Sequence, residues 1–149
     1  MRLKKILALS MLFALFTGSI AAQEVFQFRG ENRTGIYKES NLLKSWPANG
    51  PSLLWECEGI GNGYGSPAIT SKNIFIEGEI DTVNYLFSLD LTGKILWKSK
   101  IGKEWIINYP GVRTTPTVVN DLVYISTGWG IVACVEANTG KIKWSLDMM

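Results

Sequence analysis

The six residues TGKILW (92–97) return as TGKIKW (139–144), 47 positions later. The likeness extends upstream of both. SPAITSKNIFIEGEIDTVNYLFSLDLTGKILW (66–97) and TPTVVNDLVYISTGWGIVACVEANTGKIKW (115–144) follow one order. Each has a Ser/Thr-Pro pair, an apolar run, a polar pair, a second run, a loop, a third run, an acidic residue, Thr-Gly-Lys and a Trp run. Pro67 and Pro116 are 49 apart, Trp97 and Trp144 are 47 apart. The difference fits a longer middle loop in the first copy. A period in the forties is the signature of four-stranded propeller blades.

The strands follow from local chemistry. KIKWSL (141–146) alternates strictly, with Ile142, Trp144 and Leu146 on one face, which predicts a half-buried strand. NDLVYIS and SKNIFIE open with turn pairs and run into β-branched and aromatic residues. In GIVACVE, Ile131, Ala133 and Val135 share a face. Thr92-Gly93 and Thr139-Gly140 form hairpin turns, because glycine reaches positive φ without a Cβ clash. Asp90 and Glu136 precede those turns and are placed to accept N–H bonds within them. Trp97 and Trp144 then offer flat surfaces for packing between sheets. Pro67 and Pro116 put strand one at a sheet edge, because proline cannot donate to a ladder.

The expected fold class is all-β: two four-stranded antiparallel blades over 66–101 and 114–149, plus an orphan fourth strand over 51–58. That strand would place Leu53, Trp55 and Cys57 on one face. A ring of four or more such blades needs more chain, so the expectation is an incomplete propeller. Its open faces would require the remaining blades of the same protein, or another protein, as partners.

Residues 1–22 have the pattern of a signal peptide: Arg2, Lys4 and Lys5, an apolar stretch from 6 to 16, then small residues. The apolar stretch is too short to span a membrane, which needs roughly 20 residues. An exported, periplasmic or secreted protein is expected, with 23–50 as an N-terminal extension. Without the signal, 12 basic residues face 13 acidic ones, a net charge of −1. No basic footprint for nucleic acid remains. Lys98, Lys100 and Lys103 read as a solvated strand face.

The chain has no His, which removes imidazole bases, His metal ligands and Ser-His-Asp triads. Cys57 and Cys134 fall on different blades and are expected as two buried free thiols, with no metal spacing. GIGNGYGS (59–66) is no dinucleotide loop. Tyr64 stands where the last Gly is needed, and the segment leads into a strand. A flexible loop is expected there instead. The loops over 58–65, 79–84, 102–113 and 127–130 lie at one end and are the longest. Function concentrates on such loops, so Tyr64, Trp105, Tyr109, Arg113 and Trp129 are the candidate ligand or partner residues. No catalytic or metal-binding residue is assigned.

CVEANTGKIKW (134–144) resembles the tryptophan-docking repeat of the pyrroloquinoline-quinone (PQQ)-type β-propellers, the quinoprotein alcohol dehydrogenase-like superfamily. Thr139, Gly140, Lys141 and Trp144 match, with Cys134 for the usual Ala and Glu136 for the usual Asp. SLDLTGKILW matches at Asp90, Thr92, Gly93, Lys94 and Trp97, one residue shorter in the turn. The leader from Phe26 onward also resembles exported bacterial members. The resemblance implies a propeller with one of two roles. One is a cofactor-free binding scaffold. The other is the N-terminal part of a dehydrogenase of alcohols or sugars using PQQ, Ca2+, an Asp base and often adjacent cysteines. No adjacent Cys pair is present. PQQ and Ca2+ enter only through the resemblance, and the scaffold role is the expectation.

Overall fold

The computed structural model describes residues 25–149. The expected signal peptide lies outside them. Among the described residues, nine strands form two antiparallel sheets. The first blade is β2 (Ala68–Ile69), β3 (Ile74–Ile80), β4 (Val83–Leu89) and β5 (Ile95–Lys103), in that order. The second is β6 (Thr117–Val119), β7 (Leu122–Ser126), β8 (Ile131–Glu136) and β9 (Ile142–Asp147). A short β1 (Val25–Phe26) pairs with β6 and makes this sheet five-stranded. The two repeats are thus two up-and-down blades, not closed into a ring.

The extra N-terminal strand is β1 and not residues 51–58, which form no strand and are largely exposed. The alternation of Leu53, Trp55 and Cys57 is real, but no ladder partner lies beside it among the described residues. Trp55 still covers a turn glycine, its ring lying over Gly93. β1 also changes the edge expectation, since β6 now lies inside its sheet. Pro67 and Pro116 immediately precede β2 and β6, where a missing N–H costs least.

The two turns of the repeated phrase share a design. In the first, Asp90 N–H donates to Lys94 O at 2.9 Å, and Gly93 sits at φ +85°. Asp90 Oδ1 accepts Thr92 Oγ1–H at 2.6 Å, Thr92 N–H at 2.8 Å and Lys94 N–H at 3.0 Å. These bonds, the Thr92 hydroxyl first, hold the Asp90 carboxyl below its ordinary range. In the second, Glu136 N–H donates to Lys141 O at 2.9 Å, Gly140 has φ +74°, and Glu136 Oε2 accepts Thr139 Oγ1–H at 2.9 Å. The longer acid matches the longer turn.

The blades meet face to face. Phe75, Leu86 and Ile101 of the first pack with Val118, Val123, Ile125, Ala133 and Val135 of the second. Ile131, Ala133 and Val135 share that inward face, as their alternation predicts. Trp97 carries the junction. Its indole N–H donates to Ala137 O at 3.2 Å, and a Cβ on Gly140 would lie 2.7 Å from its ring. Ser99 donates to Gly140 O beside it. The far face of the first blade packs Ile74, Phe87 and Leu89 with Cys57 and Ile60. Cys134 is buried and Cys57 half-buried; both are free.

β9 departs from its half-buried pattern: all six residues are exposed. Trp144 is 46% exposed and touches the Tyr124 ring at 6.2 Å between centroids. The strand alternates for a face that no described residue covers. Among the described residues, no helix is long and apolar enough to cross a membrane.

Candidate functional site

Of the loops expected at one end of the blades, one is shorter and one is more ordered than expected. The turn expected over 79–84 is only Asp81-Thr82, with φ +50° and +70°. Two left-handed residues make the type I′ geometry that matches strand twist. Residues 59–66, expected as a flexible loop, lie as a strap. Asn62 pairs with Glu79 and Gly63 with Val112 as isolated bridges. Tyr64 N–H donates to Val112 O at 2.6 Å.

The five candidate residues fall into two groups. Tyr64, Tyr109 and Arg113 line one open cleft of about 280 Å³. Tyr64 and Arg113 also border a second cleft of about 390 Å³ with Phe28, Ser66, Thr114 and Thr115. Tyr109 is 79% exposed and Tyr64 69%. Arg113 is turned to its own loop: Nη2 donates to Asn108 O at 2.9 Å and to Tyr109 O, and Nη1 donates to Gly111 O at 3.4 Å. Its guanidinium ties the loop.

Trp105 and Trp129 form the second group, with ring centroids 5.4 Å apart. Trp105 Nε1–H donates to Ile107 O at 2.6 Å. Lys103 Nζ sits 3.5 Å from the Trp129 ring centroid, a cation–π geometry. Lys98, Lys100 and Lys103 are all exposed, as expected of a solvated strand face. Lys98 lies over Tyr85 at 5.2 Å.

Sequence reasoning missed a buried polar cluster at the same end. Glu77 and Glu79 alternate with Phe75 on the inward face of β3. Asn84 Nδ2 bridges Glu77 and Glu104 at 2.9 and 2.8 Å, and its Oδ1 is buried without a partner. Glu79 accepts Asn62 Nδ2–H at 3.1 Å and Thr82 N–H at 2.6 Å. Burial, above all, pushes the Glu77 carboxyl up to about 7. The available signal was the period-two placement of two acids inside an apolar strand. Its meaning depends on which residues face them from the next blade.

Among the described residues, the charged side chains at this end of the blades are engaged within the fold. Arg113, the cation lining both clefts, is engaged by three carbonyls. The oxygens of Glu77, Glu79 and Glu104 are hydrogen-bonded within the fold. Among the described residues, no group of three or more acidic or Cys side chains converges as a metal site.

No family model matches the chain. Among curated proteins, a stretch of 50 residues is 34% identical to a quinohemoprotein alcohol dehydrogenase of Comamonas testosteroni, covering 32% of this chain and 7% of that protein. The chain thus spans a small fraction of the relative it matches. Fold and comparison together describe an all-β chain of two propeller-like blades, with a segment similar to a quinoprotein alcohol dehydrogenase.

Proposed function

We propose that this chain supplies blades to an exported β-propeller of the quinoprotein-like repeat type, and that the propeller serves as a protein-binding scaffold. One observation carries the reading: exposed Tyr64, Trp105 and Tyr109 stand on loops held by rigid blades at one end of the molecule. Tyr and Trp are the side chains that dominate protein interfaces. They offer large contact area with an apolar body and a polar tip. The clefts beside Tyr64 and Tyr109 are open, suiting a macromolecular surface better than an enclosed small substrate.

The open face of β9 supports a second element of the proposal. Trp55 covers Gly93 and Trp97 covers Gly140. Trp144 holds the same place in its repeat and covers no described glycine. A further blade with a Thr-Gly turn is the partner that this face takes. Nucleic acid is no part of the proposal, because the net charge after signal removal is −1.

The alternative is the N-terminal part of a PQQ-dependent alcohol or sugar dehydrogenase, favoured by the matched stretch. To separate the two, full-length protein is given PQQ and Ca2+, and dye-linked oxidation of alcohols and sugars is followed. The scaffold reading expects no turnover from folded protein. Turnover above the cofactor alone would reject it in favour of the dehydrogenase.

A further inference from the structure

Two carboxyl groups are buried where the blades meet, and a count of hydrogens separates their roles. Glu77 is 4% exposed and Glu104 1%. Asn84 Nδ2 spends both of its hydrogens, one on Glu77 Oε2 and one on Glu104 Oε2. The reversed amide would set an oxygen against two carboxyl oxygens, so nitrogen is the atom that fits. Glu104 Oε1 accepts the N–H groups of Trp105 and Gly128, both at 2.8 Å. The oxygens of Glu104 act only as acceptors.

Glu77 differs. Its Oε1 lies 3.0 Å from Thr114 Oγ1, which lies 2.8 Å from Ser126 O. A hydroxyl has one hydrogen to give. The Ser126 carbonyl can only accept, so it takes the Thr114 hydrogen. The contact between Glu77 and Thr114 then needs a hydrogen on Glu77.

We propose that Glu77 is a proton-operated latch between the blades. As the acid it donates to Thr114, which in turn donates to Ser126. As the carboxylate it takes the Thr114 hydrogen for itself and releases Ser126. Glu77 belongs to β3 of the first blade, Ser126 to β7 of the second, and Thr114 to the segment between. One proton therefore decides whether a hydrogen-bonded chain spans the junction.

The surrounding charges favour the protonated form. From the segment after β5 comes Glu104, and along β3 itself comes Glu79, engaged by Asn62 and Thr82. Lys103 turns to the Trp129 ring and Arg113 to carbonyls of its loop. Tyr124 of β7 turns to Trp144, and Tyr64 of the strap is exposed. Residues 127–130 carry no titratable side chain. Burial raises the Glu77 carboxyl to about 7, and the nearby Glu104 charge acts in the same direction. Between its ordinary value of 4.5 and about 7 the folded chain holds a proton that the unfolded chain has released. Stability from this group is therefore full below that window and is lost as pH rises through it.

The test is thermal unfolding of the full-length protein from about pH 4.5 to pH 8.5, wild type beside Glu77→Gln. Glutamine keeps a donor for Thr114 at every pH. The expected result is a wild-type Tm that falls relative to the variant as pH rises toward 7 and levels off above it. A constant difference across the range would overturn the latch. Should Glu77→Gln fail to fold, the infrared carboxyl region of the wild type decides. A protonated-carboxyl band that persists near neutrality and disappears in alkali is expected; its absence throughout would overturn the proposal. Ca2+ added in alkali should leave Tm unchanged. A rise in Tm that removes the pH dependence would mean that a cation holds the pair, and would also overturn it.

Discussion

At the scale of single residues, the junction between blades rests on a glycine beneath a tryptophan ring. Gly140 holds a positive φ of 74°, and a Cβ there would meet Trp97 at 2.7 Å. Gly140→Ala therefore combines a left-handed backbone cost with a steric clash, together about 2–4 kcal/mol. Gly50 provides the control. Its φ is +75° but nothing lies within 4 Å of the added carbon. Gly50→Ala should show only the backbone part, about 1 kcal/mol. Urea unfolding of both variants checks the difference, and equal losses would mean that the Trp97 contact contributes nothing. This pair was legible in outline from the sequence. Gly140 and Trp97 each stand out in the repeated phrase, but only the fold shows that the tryptophan of one repeat meets the glycine of the next.

At the scale of elements, the β3–β4 hairpin carries a local conflict. Thr82 is β-branched yet has φ +70°, in a region that favours glycine. Its N–H donates to Glu79 Oε1 and its carbonyl accepts the Glu104 N–H. Both bonds are made by backbone atoms, so Thr82→Gly keeps them while removing the strain. The expected outcome is a net stabilisation of roughly 0.5–1 kcal/mol, after the greater freedom of glycine in the unfolded chain is deducted. The denaturation midpoint measures it, and a loss of stability would show that the threonine side chain matters more than its backbone. Eight of the nine strands follow from local alternation and turn chemistry. Two features did not. β1 is two residues long, and its place beside β6 is a long-range pairing with no local signal. Residues 51–58 have the alternation of a strand without a partner, and a strand exists only where its backbone groups are paired. The polar cluster was hidden for the same reason. Glu77, Asn84 and Glu104 are 27 positions apart at their extremes and meet only through sheet register.

At the scale of the whole molecule, the two blades repeat one contact and leave the next open. Trp55 on Gly93 and Trp97 on Gly140 are made within the described residues. Trp144 and Leu146 sit on the open face of β9, 46% and 60% exposed. Position 146 corresponds to Ser99 in the first blade, so the next junction would be more apolar than the one between these two. Trp144→Ser should change the unfolding of the 149-residue chain by less than about 1 kcal/mol. In a particle where the proposed further blade covers it, the expected cost rises to about 3–5 kcal/mol. Equal effects in both would leave the face without a partner.

The central claim, that these repeats are blades of a larger ring, is tested most directly by the mass of the native folded particle, taken by native mass spectrometry. The expected particle holds four to eight blades, on the order of 20–40 kDa, whether from one longer chain or from several chains. A stable, cooperatively unfolding monomer of these 149 residues alone would contradict the claim, because its open faces would then need no partner.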